Sequence, residues 1–442
     1  MSARAMTRLP GSARTRDWTA LGVLVVLAIL APLLLSQSSL RLTALFLPLA
    51  LLAMSVDILW GENRIISFGH GAFFAAGGYI GGLILIGHTY NPISGAASFL
   101  EQGGSSSGLD RLLGHLHDIS IAGLPVPALL VPPLVVGAIG LIIGMIVFRV
   151  TDPEIYLPLI TLGITVVAGL WFNDVDGIGG SNGLGGIPSF TKDIAGGGTT
   201  VQYVFNAAFV VAALIGYAVF RQSQRGATWR ALGDDAVRLE ALGYPVRRIR
   251  AYGFAVSVAI AGLAGSLYAA TAGVIGPGLA DITFSAQPLI WVAVGGTGTL
   301  LGPVVGTLVV QWLQQLLSVD LGLQSSWQLF LGLALIFIVL LAPGGLLGSR
   351  REGILARLPR RRPPPSDGDR GRRAPTTRRT RRLRRRADVT PSARVVHAMP
   401  DPSAHVNAWS PHALSSLVLM GRPGAAAAVD IDGRRVCSGG RS

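Results

Sequence analysis

Residues 40–60 read LRLTALFLPLALLAMSVDILW, and the stretch before them, residues 19–36, reads TALGVLVVLAILAPLLLS. Behind Arg4, Arg8, Arg14 and Arg16, a single apolar run would have the form of a secretory signal. A second run so close behind, with no small-residue cleavage site before it, makes the pair two membrane helices. Working outward, similar runs recur near 65–87, 126–148, 155–172, 203–220, 251–273, 287–317 and 325–347. Backbone amides find no water in hydrocarbon, and these long runs lack a period-two pattern, so helices are expected. The predicted fold is an all-α polytopic membrane bundle of about 8–10 transmembrane helices with broken or re-entrant segments.

Half of the 442 residues are hydrophobic, only 14% are charged and the mean hydropathy is +0.53, which argues against a soluble enzyme. The formal charge of +14 is unevenly spread: residues 1–349 carry 16 basic and 16 acidic side chains, residues 350–442 carry 21 and 7. The whole excess lies in the tail. Cys437, the one cysteine, excludes an intramolecular disulfide framework and a cysteine-cluster metal site. Lys192, the one lysine, stands in SFTKD, so the chain has no G-x-x-x-x-G-K-[ST] phosphate loop. If ATP drives this protein, another chain hydrolyses it.

Arginine placement sets the expected orientation. Residues 221–250 hold seven arginines against three acids, whereas the loops near 88–124 and 174–200 hold one basic residue each. The arginine-rich loop, Arg149 and both termini are therefore expected on the cytoplasmic face. Counting crossings then leaves one segment too many, unless 287–317 enters and leaves on the same face. The run Gly295-Gly296-Thr297-Gly298-Thr299, followed by Gly302-Pro303, supplies a break for such a hairpin. The resulting division is a basic N-terminus at 1–18, a membrane domain at 19–348 with its cytoplasmic loop at 221–250, and an Arg/Pro-rich tail at 349–442. That tail lacks the apolar content for a core and is expected to be disordered. It reads either as a polybasic segment on anionic lipid or as GC-rich DNA translated out of frame, without function.

Three stretches carry chemistry. Residues 65–79, IISFGHGAFFAAGGY, form an apolar helix that its glycines weaken. Backbone exposed around Ser67, Gly69, His70 and Gly71, together with the Gly295-Gly296 break, is what a membrane pathway needs. The plainer reading is tight helix packing with His70 hydrogen-bonded to a neighbour. Residues 174–188, DVDGIGGSNGLGGIP, place Gly179, Gly180, Ser181, Asn182 and Gly183 in an outer loop suited to left-handed turns and amide-lined concavities, or else a flexible connector. Residues 225–250 carry their own helix punctuation: Asp234 and Asp235 open a turn, Gly243 closes it and Pro245 forbids continuation. Val237, Leu239, Ala241 and Leu242 then give an apolar face for a partner's groove, with Arg238 and Glu240 on its rim; an interfacial helix on lipid is the alternative.

WGENRIISFGHGAFFAAGGY, GGSNGLGGIP, ALGDDAVRLEALGYPVRRIRAYGFAVSVAIAGLAGSLYA and IWVAVGGTGTLLGPVVG together resemble the branched-chain amino acid type of ABC importer permease, a family that includes urea and short-chain amide transporters. The resemblance runs from about Leu40 to Gly348. It implies a non-catalytic subunit of a bacterial inner membrane, a second permease chain forming a heterodimer, two cytoplasmic ATPase subunits and an extracytoplasmic solute-binding protein. It implies no cofactor and no metal. It also places the ATPase-docking helix on Asp234, Asp235, Val237, Glu240, Ala241, Leu242 and Gly243. Asn182 and Trp291 depart from the branched-chain pattern and lean toward the urea type. A passive channel would need no docking helix. An integral enzyme would need more titratable groups inside the spans than Asp57 and His70. Lipid is an expected contact, and no specific nucleic acid is.

Overall fold

The computed structural model describes residues 11–87, 120–121, 124–150, 153–175, 178–192 and 198–320, with 116, 329, 332–333 and 345–347 as isolated positions. The span expected at 325–347 falls largely outside the described residues, and the tail from 349 and most of the 88–124 loop fall wholly so. Five described helices are long and apolar enough to cross a membrane: α2 (Gln37–Asn63), α4 (Val126–Val150), α5 (Pro153–Asp174), α6 (Thr199–Gln222) and α9 (Val246–Ala272). Shorter apolar helices are α1 (Gly11–Leu34, apolar from Trp18), α3 (His70–Ile86) and α10 (Ile282–Gly295). The chain is an all-α polytopic membrane protein, and among the described residues strand is confined to two-residue pairs.

Burial separates a core from a wall. In the most apolar stretch of α2, 89% of residues are buried and in α9 72%, against 28% in α4 and 22% in α5. Small residues let the core helices touch at backbone distance, the substitute for a hydrophobic driving force that lipid cannot supply. A side chain at Gly77 would strike the Gly262 backbone, and one at Gly265 the carbonyl of Phe74, so α3 meets the second half of α9 at backbone distance. On the other side of α9, Gly144 lies against Ala251, and Ser266 donates to the Ala128 carbonyl of α4 at 2.6 Å. Phe73 and His70 meet Phe254 edge-on across the α3–α9 seam.

α9 ends at Gly273, and the chain turns directly into β4 (Val274–Ile275), which pairs antiparallel with β3 (Leu184–Gly185) in the register Leu184↔Ile275. The Ile187 amide also bonds the Gly273 carbonyl at 3.1 Å. These bonds fasten the glycine-rich 179–187 segment to the end of α9. A small pair, β1 (Ser120–Ile121) with β2 (Leu124–Pro125), precedes α4.

The apolar run expected at 287–317 is broken where its glycines stand. α10 and α11 (Gly302–Gln315) are antiparallel helices of 14 residues each, joined by 296–301. α10, at 1.5 Å per residue, is ~21 Å long, short of the ~30 Å hydrocarbon core; α11 runs on through a π-helical turn at Leu316–Asp320, and the two form a hairpin about the glycine break. The arginine-rich loop differs from the single helix expected at 234–243. It holds two helices, α7 (Gln224–Asp234) and α8 (Ala236–Ala241). Ser223 caps α7 by accepting from the Gly226 amide at 3.1 Å, and Asp235, extended between the two, caps α8 by accepting from Arg238 at 2.9 Å. Asp234 thus ends a helix, and Asp235 alone opens the next.

The seam predicts a graded response. Gly77→Ala or Gly265→Ala should cost about 1–3 kcal/mol through overpacking. Gly163→Ala and Gly216→Ala, which meet nothing within 4 Å, should be neutral or slightly stabilising. Thermal midpoints of the four purified variants in one detergent test this; equal midpoints would mean that the seam yields.

Candidate functional site

The break before α3 is held by threonines of α5. Phe68 donates its amide to Thr161 Oγ1 at 3.1 Å, and Thr165 Oγ1 donates to the Phe68 carbonyl at 2.9 Å. Side chains from one helix therefore satisfy backbone that the next helix leaves open, as burial requires. Ser67 is buried there and accepts from the Gly69 amide at 3.3 Å. Gly69 lies against Thr161, and Gly71 against Ser285 of α10. His70 is fully buried and shares a 2.7 Å hydrogen bond with Ser257 of α9. Ser257 donates in turn to the Ser55 carbonyl of α2, which leaves His70 Nε2 as the donor. The plainer of the two readings of His70 is the one its geometry fits: it stitches α3, α9 and α2 together. Among the described residues no group of three or more His, Cys, Asp or Glu could hold a metal.

Behind this break an open groove of about 310 Å³ runs between α5 and the 277–282 segment, walled by Val166, Leu170, Pro277 and Ile282 with Asn173 and Asp281 at its polar positions. Thr165 lines it as well, so the groove backs directly onto the interrupted segment. Gly295 and Gly296 lie elsewhere. Gly295 packs on Gly302, and the Leu346 and Leu347 amides bond Val294 and Gly295 at 2.8 and 3.0 Å. The six expected pathway residues thus form two groups, which α10 touches at opposite ends.

The glycine-rich loop is a built turn. Gly179 (φ +93°) and Gly183 (φ +72°) hold left-handed backbone about the short helical turn Gly180–Asn182, and Gly183 abuts the Ile275 carbonyl. Ser181 and Asn182 are exposed on its surface.

On α7 and α8, Asp234 pairs with Arg64 at 2.9 Å, both side chains 69% exposed. Val237, Leu242 and Tyr244 are exposed apolar groups, with Glu240, Ala241 and Gly243 exposed beside them. Leu239, expected on the same face, points inward and packs with Leu232 and Val246. That small cluster anchors α8 to α7 and α9. Gly243, at φ +87°, donates its amide to the Glu240 carbonyl at 2.9 Å and turns the chain into α9.

Two polar clusters escaped the reading of the sequence. Near the α2 terminus, buried Glu62 accepts from Tyr217 at 3.0 Å and pairs with Arg221 at 2.9 Å, with Arg230 4.0 Å away. At the other end of α6, Gln202 and Asn206 share Thr271 of α9, and Asn206 also reaches the Ala44 carbonyl at 2.8 Å. The available signal was the same in both cases: polar residues inside apolar runs.

A protein family described as the permease component of branched-chain amino acid transport systems matches residues 38–340. The high-affinity branched-chain amino acid transport permease LivM of Escherichia coli is 26% identical over 74% of this chain and 74% of its own length. LivH of Salmonella typhimurium, a permease protein of the same kind of system, is 26% identical over 68% of this chain and 91% of its own. The fructose import permease FruG of Bifidobacterium longum is 26% identical over 60% and 82%. No solved structure matches.

The His70 stitch makes a double-mutant prediction. Ser257→Ala strands the imidazole and should lower stability by about 1–3 kcal/mol, while Ser257→Ala with His70→Leu, which removes both partners, should recover part of it. Denaturation of the three variants decides; a double variant as damaged as the sum of the singles would show that the pair is not what links the helices.

Proposed function

Because the chain belongs to the family of permease components of branched-chain amino acid transport systems, we propose that it forms part of the translocation path for branched-chain amino acids and couples that path to separate ATPase subunits. The protein is a multi-pass membrane permease subunit. The observation that carries the coupling is the α7–α8 segment. Its exposed Val237 stands on a short helix capped at one end by Asp235 and turned at the other by Gly243, with exposed Leu242 and Tyr244 at that turn. A helix held at both ends transmits displacement, and this one borders the arginine-rich face that orientation rules place in the cytoplasm. The chain itself has no phosphate loop, so the force enters through a protein contact.

In this reading 234–243 docks on one of two ATPase subunits, a second permease of the LivH kind completes a heterodimer, and an extracytoplasmic binding protein delivers the solute at the face that carries 179–183. The complex occupies a bacterial inner membrane, with the N-terminus at 1–18 and the tail at 349–442 in the cytoplasm. The solute path runs beside the interrupted 65–71 segment, where the α5 groove offers apolar walls with polar groups between them. Trp291, which leaned toward a urea-type solute, is buried against Phe284 and lines no part of that groove.

Reconstitution with the partner subunits and the binding protein in liposomes tests the coupling. Glu240→Arg and Gly243→Val, the latter straining a left-handed turn, should each reduce solute-stimulated ATP hydrolysis and uptake together by about tenfold, equivalent to ~1.4 kcal/mol of lost contact. Binding-protein loading should be unchanged. Wild-type coupling in both inserted variants would place the docking contact elsewhere, and uptake without ATP would make the protein a channel. Truncation after Gly348 should leave uptake intact at normal protein amount, because all the excess charge and none of the family match lies beyond it.

A further inference from the structure

Residues 57–64, the last two turns of α2 and its cap, are gripped from two sides. On one side α6 and α7 converge on Glu62. Tyr217 and Arg221 reach one carboxylate oxygen, Arg230 stands 4.0 Å from the other, and the Glu62 side chain is 3% exposed. Gly233 of α7 has no room for a side chain, because one would strike the Glu62 carbonyl, so α7 seats directly on the α2 backbone. On the other side, Asp57 accepts the Gly298 amide at 2.8 Å and Gly61 lies against Gly298, which seats the α10–α11 turn on the same helix. The Leu346 and Leu347 amides then hold the end of α10.

We infer that Glu62 is a positioning residue that transmits movement of the α7–α8 segment, through α2, to the α10–α11 hairpin. The inference rests on the coupling role proposed for α7–α8 and adds the route by which the force reaches the spans. Its physical basis is the difference between two ion pairs at this end of the bundle. Arg64–Asp234 is exposed, and such a pair contributes little. Glu62 is buried, and separating it from its cations would leave an uncompensated charge in a low dielectric. α7 therefore cannot slide along α2 without that penalty, and the two move as one body. The hairpin follows because its turn hangs from Asp57, on the same stretch of helix.

The test uses the complete transporter in liposomes and reads ATP hydrolysed per solute moved. Damage to folding or assembly lowers both rates in proportion and leaves that ratio fixed, whereas a broken link lets hydrolysis run on without transport. Glu62→Gln, which keeps shape and loses charge, should raise the ratio about fivefold or more, the lower range of coupling between sites. Glu62→Asp should fall between it and the wild type. Arg221→Gln should raise the ratio similarly from the other side of the pair, and the double variant should be no worse than either single. Arg221 also serves if Glu62→Gln yields no assembled complex. A ratio equal to the wild type in whichever of these variants assemble would overturn the inference. A wild-type transporter with no solute-stimulated hydrolysis would instead overturn the coupling role of α7–α8 itself, a different result from the same assay.

Discussion

The rest of the bundle depends on how closely α3 and α9 approach. Gly77 against Gly262 and Gly265 against the Phe74 carbonyl bring two backbones together where any larger residue would hold them apart. In lipid, helix association draws on dispersion and on hydrogen bonds rather than on escape from water, so each increment of distance along the seam loses the attraction itself. With the seam closed, α2 and α4 find surfaces to pack on, and His70, Ser257 and Ser55 fall within hydrogen-bonding range. α4 packs on α9 at Gly144 and Ser266 with one face and presents Leu130, Leu134, Ile142 and Ile146 outward from the other.

Polar groups inside such a bundle have to be satisfied by protein, and two of the bonds that do so stand where helices are interrupted. The threonines of α5 hold Phe68, and the Asp57 carboxylate holds Gly298. Each bond joins two elements rather than adding to one. A break in a helix and a polar side chain facing it are therefore a single feature seen from two sides. That feature is also what allows an element to pivot without unravelling, as a transport protein requires.

Much of this was legible in the sequence, and the limit has a physical form. Apolar runs long enough to span gave the helices, and Gly295 to Pro303 marked the hairpin turn that lies at 296–301. Gly179 and Gly183 announced left-handed turns because almost no other residue adopts them. Partners were not legible. Nothing local says that Glu62 meets Arg221, or that Gly233 lies on the Glu62 carbonyl, because those contacts are fixed by the packing of whole helices. The inward turn of Leu239 was missed for another reason. A six-residue helix such as α8 is too short for its apolar positions to define one face, so tertiary packing decides which of Val237 and Leu239 is covered.

The separation in sequence between Asp57 and Gly298 has a consequence for how the protein is made. The two stand 241 positions apart, and Tyr217 follows Glu62 by 155. At a synthesis rate of ~5–20 residues per second, α2 leaves the ribosome ~10–50 s before the turn that will hold its carboxylate exists. Until Tyr217 and Arg221 are made Glu62 lacks these partners, and until Gly298 is made Asp57 lacks its amide, so this end is best kept at the aqueous boundary in the meantime. α2 is then expected to settle to its final depth late, when the second half of the chain arrives. The most buried of the described spans is thus made early and, on this expectation, settled late, and a ribosome that stalls before Gly298 would leave α2 with an Asp57 that lacks this amide.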